Sequence, residues 1–159
     1  MANIRHLIEE NIIGSDVLHL AGELGAKYKQ EVYVVGGYVR DLFLGINIKE
    51  IDFMVVGNGI KFARSLADEL KVANIVPFQR FSTARIPYKK IPLEVASART
   101  ESYDDSSRKP DKIQYTDLKG DLLRRDFTIN AMAVDLHPKR FGNLSDPFNG
   151  ILDLQEKHL

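Results

Sequence analysis

Residues 31–57 read Glu31-Val-Tyr-Val-Val-Gly36-Gly-Tyr-Val-Arg-Asp41-Leu-Phe-Leu-Gly45-Ile-Asn-Ile-Lys-Glu50-Ile-Asp-Phe-Met-Val-Val-Gly57. The β-branched run 31–35 is a buried strand, and Gly36-Gly37 is the turn behind it. Val39 to Leu44 reads as a short helix closed by Gly45. Lys49 to Val56 alternates charged and apolar residues, then turns fully apolar, which predicts a second strand stopped by Gly57-Asn-Gly59. Upstream, Ile4, Leu7, Ile8 and Ile12, and then Val17, Leu20 and Leu24, recur at helical spacing, so 1–30 is a helical segment. Downstream comes a helix through Phe62, Leu66 and Leu70. Three short strands follow at Val72–Val76, Phe81–Ile86 and Ile91–Ala96, with Pro77 and Pro87 in the turns. Residues 97–116, rich in Ser, Asp, Arg and Lys, read as a mobile basic loop. A helix from Asp117 to about Asn130, a hairpin over Ala131–Leu136 and Phe141–Leu144, and a helix after Asp146-Pro147 complete the chain. Hairpin-spaced strands with few crossover helices argue for an α+β domain over a doubly wound parallel sheet.

Composition narrows the function. The 159 residues suit a single domain, and 22 basic against 22 acidic side chains leave no global field to attract nucleic acid. The distribution is uneven. Residues 80–125 carry eleven Lys and Arg against seven Asp and Glu, a local anion-facing surface. The absence of cysteine excludes disulfides, thiolate zinc sites and a cysteine nucleophile, and the four His have no metal-ligand spacing. No apolar run is long enough to span a bilayer, and the N-terminus lacks a signal-peptide core, so a cytoplasmic location is expected.

Four constellations carry chemistry. In Val34-Val-Gly36-Gly37-Tyr-Val-Arg40-Asp41, a strand enters paired glycines and then a helix. Such a corner lets backbone N–H groups approach a phosphate closely, with Arg40 one turn in. It lacks the third glycine of a dinucleotide fingerprint, and two glycines alone more often mark an ordinary corner. Glu50 and Asp52 fall on one strand face, with Cα atoms roughly 6.5 Å apart. A solvated strand edge is the plain reading of such alternation. The apolar run Phe53 to Val56 takes the strand into the core, however, and carboxylates at its mouth call for a cation. Glu94, flanked by Leu93 and Val95, is an exposed side chain on the plain reading and a third carboxylate on the functional one. The fourth, Leu123-Arg124-Arg125-Asp126-Phe-Thr-Ile-Asn130-Ala-Met-Ala133, places Arg124, Asp126 and Asn130 near one helical face; plainly read, it is a helix start with a satisfied Arg–Asp pair.

In this order and spacing, the four motifs resemble the class II tRNA nucleotidyltransferase (CCA-adding enzyme) and bacterial poly(A) polymerase family, over about residues 30 to 159. Asp146-Pro-Phe-Asn-Gly-Ile-Leu-Asp-Leu154 is similar to that family's next landmark, where Gly-Gly-Leu is more usual. The resemblance implies a polymerase-β-like nucleotidyltransferase head with a mixed, mostly antiparallel sheet of about five to seven strands and flanking helices. It implies that Gly36 and Gly37 hold the triphosphate and that Arg40, Arg124 and Arg125 contact the nucleotide. It also implies that Glu50 and Asp52 bind two Mg²⁺, with Mn²⁺ as a substitute, that Glu94 aligns or deprotonates the attacking hydroxyl, and that Asp126 and Asn130 recognise the ribose.

The implied activity is addition of AMP, CMP or both from ATP and CTP to an RNA 3′ end, that of a tRNA above all, with pyrophosphate release. Two departures stand out. Glu50 replaces the usual Asp, and neck, body and tail domains are expected beyond residue 159, so that the 1–159 head is expected to be weak or inactive by itself. The alternatives are a nucleotide-binding module without turnover and a small-molecule nucleotidyltransferase on the same fold.

Overall fold

A computed structural model describes residues 2–11, 14–89, 91–103 and 110–157. Two helices, α1 (Arg5–Glu10) and α2 (Ser15–Lys27), precede strand β1 (Val32–Val35). Helix α3 (Gly37–Leu44) leads to β2 (Ile51–Val55), and α4 (Gly59–Glu69) to β3 (Val76–Phe78), β4 (Thr83–Ile86) and β5 (Leu93–Ser97). Then come β6 (Arg99–Tyr103), β7 (Pro110–Tyr115), α5 (Leu118–Leu123), β8 (Ala133–Asp135), β9 (Leu144–Ser145) and α6 (Gly150–Gln155).

The main sheet has seven strands in the order β3-β4-β5-β2-β1-β8-β9. Only β2 and β5 pair in parallel, because the chain crosses over through α4 between them; the other pairs are antiparallel. The α+β class expected from the sequence is the one observed.

Strand periodicity divides the interior in two. Ile51, Phe53 and Val55 enter the larger core with Leu18 of α2, Val39 of α3 and Phe62 and Leu66 of α4. Burying each such side chain contributes roughly 1.5–3 kcal/mol. Met54 instead joins Tyr33, Val35, Ala98, Leu122 and Ala133 in a smaller cluster on the opposite face. That second face is only partly filled with apolar side chains, and Asp52 shares it.

Three expectations need correction. Over 97–116, β6 and β7 form an antiparallel ribbon in which Arg99 faces Tyr115, where a loop was expected. Ribbon pairing satisfies backbone groups and needs no apolar alternation, so a polar composition hides it. The centre of the expected loop, 104–109, lies outside the described residues. The helix expected over 117–130 ends at Leu123, and a 3-10 turn takes up Thr128–Asn130. Phe127 is extended, at φ −120° and ψ 136°, while Ile129 and Ala131 are buried, so packing overrides helical continuation. The strand expected at Val72–Val76 lies instead at Val76–Phe78. Pro77 is tolerated there because β3 is the sheet edge.

Candidate active site

At the end of β1 the backbone of Gly36 adopts φ +67° and ψ −133°, a region that disfavours any side chain, before α3 starts at Gly37. A Cβ placed on Gly36 would stand 3.8 Å from Oδ2 of Asp52 and 3.5 Å from Nη1 of Arg125. The glycine turn, the carboxylate and the guanidinium therefore meet at one point.

Asp52 lies directly opposite Glu94 in the parallel β2–β5 register, and Arg85 of β4 lies opposite Glu94 from the other side. Glu50, one residue before β2, shares the face of Asp52. Its half-exposed side chain has Oε2 3.7 Å from Nη2 of Arg85. These carboxylates form one wall of an open cleft of about 280 Å³, and Arg99, Arg124 and Arg125 form the other.

The arginine wall is built on Asp121, whose side chain is buried at the last turn of α5. Its Oδ1 accepts from Nε and Nη2 of Arg125 at 3.2 and 3.0 Å. Oδ2 accepts from the backbone N–H of Arg99 at 3.0 Å and from Nη2 of Arg124 at 3.4 Å. Arg124 also donates through Nε to the Arg99 carbonyl. Arg99 reaches across to the Phe81 carbonyl and to Oγ1 of Thr83.

Asp52 differs in its electrostatics. Burial pushes its pKa up to about 7, and the charges of Glu50 and Glu94 push in the same direction; Arg125 and Arg85 pull it down. A carboxylate so placed is short of positive charge. Among the described residues no three His, Cys, Asp or Glu side chains are gathered to hold a metal. The donor set still fits Mg²⁺, which is commonly held by one or two carboxylates, with substrate phosphates and water completing the shell. Glu50 and Asp52 are the two carboxylates that would supply that part of the shell.

The fold thus brings Gly36, Asp52, Glu94, Arg124 and Arg125 together, with Glu50 at the rim. Arg40 lies beside the glycine turn, its Nη2 3.2 Å from the position of a Cβ on Gly37. It donates to Oδ1 of Asn130 and pairs with Asp41, both at 3.0 Å. Asp126 is not part of the cleft wall. The break after Leu123 leaves it exposed on the turn, off the face expected to carry it beside Arg124 and Asn130. Arg85, Arg99 and Asp121 are functional candidates that sequence reasoning missed. The spacing of Asp121 to Arg124 and Arg125, three and four residues along a helix, was the available signal.

The described residues include no helix long and apolar enough to cross a membrane. Residues 32–159 match the poly(A) polymerase head domain family, and the chain belongs to it. The A-adding tRNA nucleotidyltransferase of Aquifex aeolicus (strain VF5) is 46% identical over 125 residues, which cover 79% of this chain and 15% of that protein. A solved CCA-adding enzyme, apo form II, superimposes with a TM-score of 0.85 at 38% identity, covering 98% of this chain and 37% of that one. The complex of a CCA-adding enzyme with CTP superimposes at 0.81 with 39% identity, covering 98% of this chain and 35% of that one. The chain therefore spans well under half the length of these relatives. The expected nucleotidyltransferase head fold is the fold these structures share.

Proposed function

We propose that this chain is the catalytic head of a template-independent RNA nucleotidyltransferase that extends tRNA 3′ ends with AMP, CMP or both. The observation that carries the reading is the meeting of Gly36, Asp52 and Arg125 at one point. It puts a backbone open to phosphate, a carboxylate short of cations and a guanidinium within one triphosphate's reach. The relatives' names supply the substrate class: a tRNA nucleotidyltransferase in one case and a CTP complex in another.

In this reading the Gly36–Gly37 backbone and Arg125 bind the triphosphate, and Arg124 and Arg40 add charge at its flanks. Glu50 and Asp52 would hold Mg²⁺. The chemistry supplied by the bound metal is a lower pKa for the RNA 3′-hydroxyl and charge neutralisation on the departing pyrophosphate. Glu94, opposite Asp52, aligns the hydroxyl or takes its proton as the oxygen attacks the α-phosphorus and the bond to pyrophosphate breaks. Asn130, held by Arg40, and Asp126, exposed on the turn after α5, are the ribose contacts of this reading. Catalysis is then positioning and electrostatics without a covalent enzyme intermediate.

The test is pyrophosphate release from ATP and CTP by the chain with Mg²⁺ and a tRNA shortened at its 3′ end. Slow, metal-dependent release that disappears in Asp52→Asn is expected. Metal-dependent ATP binding without pyrophosphate release, whatever tRNA is supplied, would contradict turnover and favour a nucleotide-binding module. The half-exposed Glu50, paired with Arg85, is the feature that gives this second reading its footing.

A further inference from the structure

Two guanidinium groups on the phosphate side of the cleft share one buried carboxylate. Asp121 is fully buried, and both its oxygens are occupied by N–H donors from the arginine wall. The arrangement is directional. Nε and Nη2 of Arg125 are taken by Oδ1, which turns the remaining Nη1 toward the Asn130 carbonyl at 3.4 Å and over the Gly36 backbone. The same carboxylate holds Nη2 of Arg124 and the main chain of Arg99, the residue at which β6 begins. The shared carboxylate holds both guanidiniums in orientations that a freely solvated arginine would not keep.

We infer that Asp121 is a positioning residue for nucleotide binding: its carboxylate orients Arg124 and Arg125, and anchors Arg99, toward the triphosphate. The inference rests on the nucleotidyltransferase reading above and deepens it. Asp121 itself touches no substrate. It acts through the guanidiniums, so its effect scales with the number of phosphates they meet. A carboxylate that served the fold alone would show no such scaling.

The experiment titrates ATP, ADP and AMP, each with Mg²⁺, into the wild-type chain and into Asp121→Asn by calorimetry. Circular dichroism checks the fold, and the Arg125 Nε–Hε resonance is followed by NMR. The expected result is a loss of about tenfold in ATP affinity, smaller for ADP and smallest for AMP, with the Nε–Hε signal displaced in a folded variant. Equal affinities, or an equal loss for all three nucleotides, would overturn the positioning role and leave the nucleotidyltransferase reading standing. A wild-type chain that binds none of the three nucleotides would remove both. Should Asp121→Asn fail to fold, Asp121→Glu keeps the charge but displaces it by one methylene, and the same graded loss is expected. Undiminished ATP binding by that variant would overturn the inference equally.

Discussion

Asp52, half-buried in the open cleft, and Asp121, fully buried behind the arginines, have opposite surroundings. Asp121 has each oxygen filled by N–H donors from Arg99, Arg124 and Arg125. Asp52 is pressed by burial and by Glu50 and Glu94, and Arg125 and Arg85 only partly offset them. The first carboxylate is complete within the protein. The second is left short of positive charge within the protein. A buried acid with its partners present is part of the scaffold, whereas one whose pKa is raised toward neutrality is a candidate for chemistry.

Removing the completed acid should have the largest effect. Asp121→Ala leaves two partly buried guanidiniums without their shared carboxylate, and is expected to destabilise the fold by about 2–4 kcal/mol in urea denaturation. A loss below about 0.5 kcal/mol, within the range of ordinary surface substitutions, would erase the contrast between the two aspartates.

Asp52→Asn should act in the opposite direction on the metal-free chain. The folded-state pKa of Asp52, about 7, lies above the unfolded value near 3.8. The folded state therefore holds the proton more tightly, and the ionised carboxylate costs stability. This cost is absent below about pH 4, grows as pH rises through the interval to 7, and is full above it. The substitution is expected to stabilise the chain at pH 8 by on the order of 1–2 kcal/mol, well under the full value of the shift because water reaches the open cleft, and to change nothing at pH 4. Denaturation curves at the two pH values check this. Equal stabilities at pH 8 would mean that Asp52 is not held short of charge.

Arg85→Ala sharpens the comparison at its weak end. The Glu50 pair is half-exposed on both sides, so its loss should change stability by no more than about 1 kcal/mol. Its informative effect is electrostatic. Taking away one of the cations that lower the Asp52 pKa should raise that pKa further, which a pH titration followed by NMR would detect.

Much of this site was legible in the chain order. The two strands and the glycine turn of 31–57 were readable because β-branched runs stopped by glycine have a direct backbone meaning. Glu50 and Asp52 share a face by periodicity alone. Glu94 was legible as a lone acid, but its place opposite Asp52 depends on a parallel pairing across α4 that no local pattern encodes. The arginine segment was misread in geometry, since the helix expected to run to Asn130 ends at Leu123 and Ile129 and Ala131 enter the core instead. Asp121 was overlooked for a related reason: a charged residue on a short helix reads as solvent-facing until tertiary packing covers it. The β6–β7 ribbon shows the same limit, because polar strands pair through their backbones and leave no apolar signature.

The central claim is that Glu50 and Asp52 form the metal site beneath the glycine turn. A crystal of the chain soaked with Mn²⁺ and ATP tests it most directly through the anomalous signal of the metal. The expected result is a peak between the Glu50 and Asp52 carboxylates, with the triphosphate running past Gly36 toward Arg125. Bound nucleotide with no metal peak at that place, or a peak ligated by other side chains, would contradict the account.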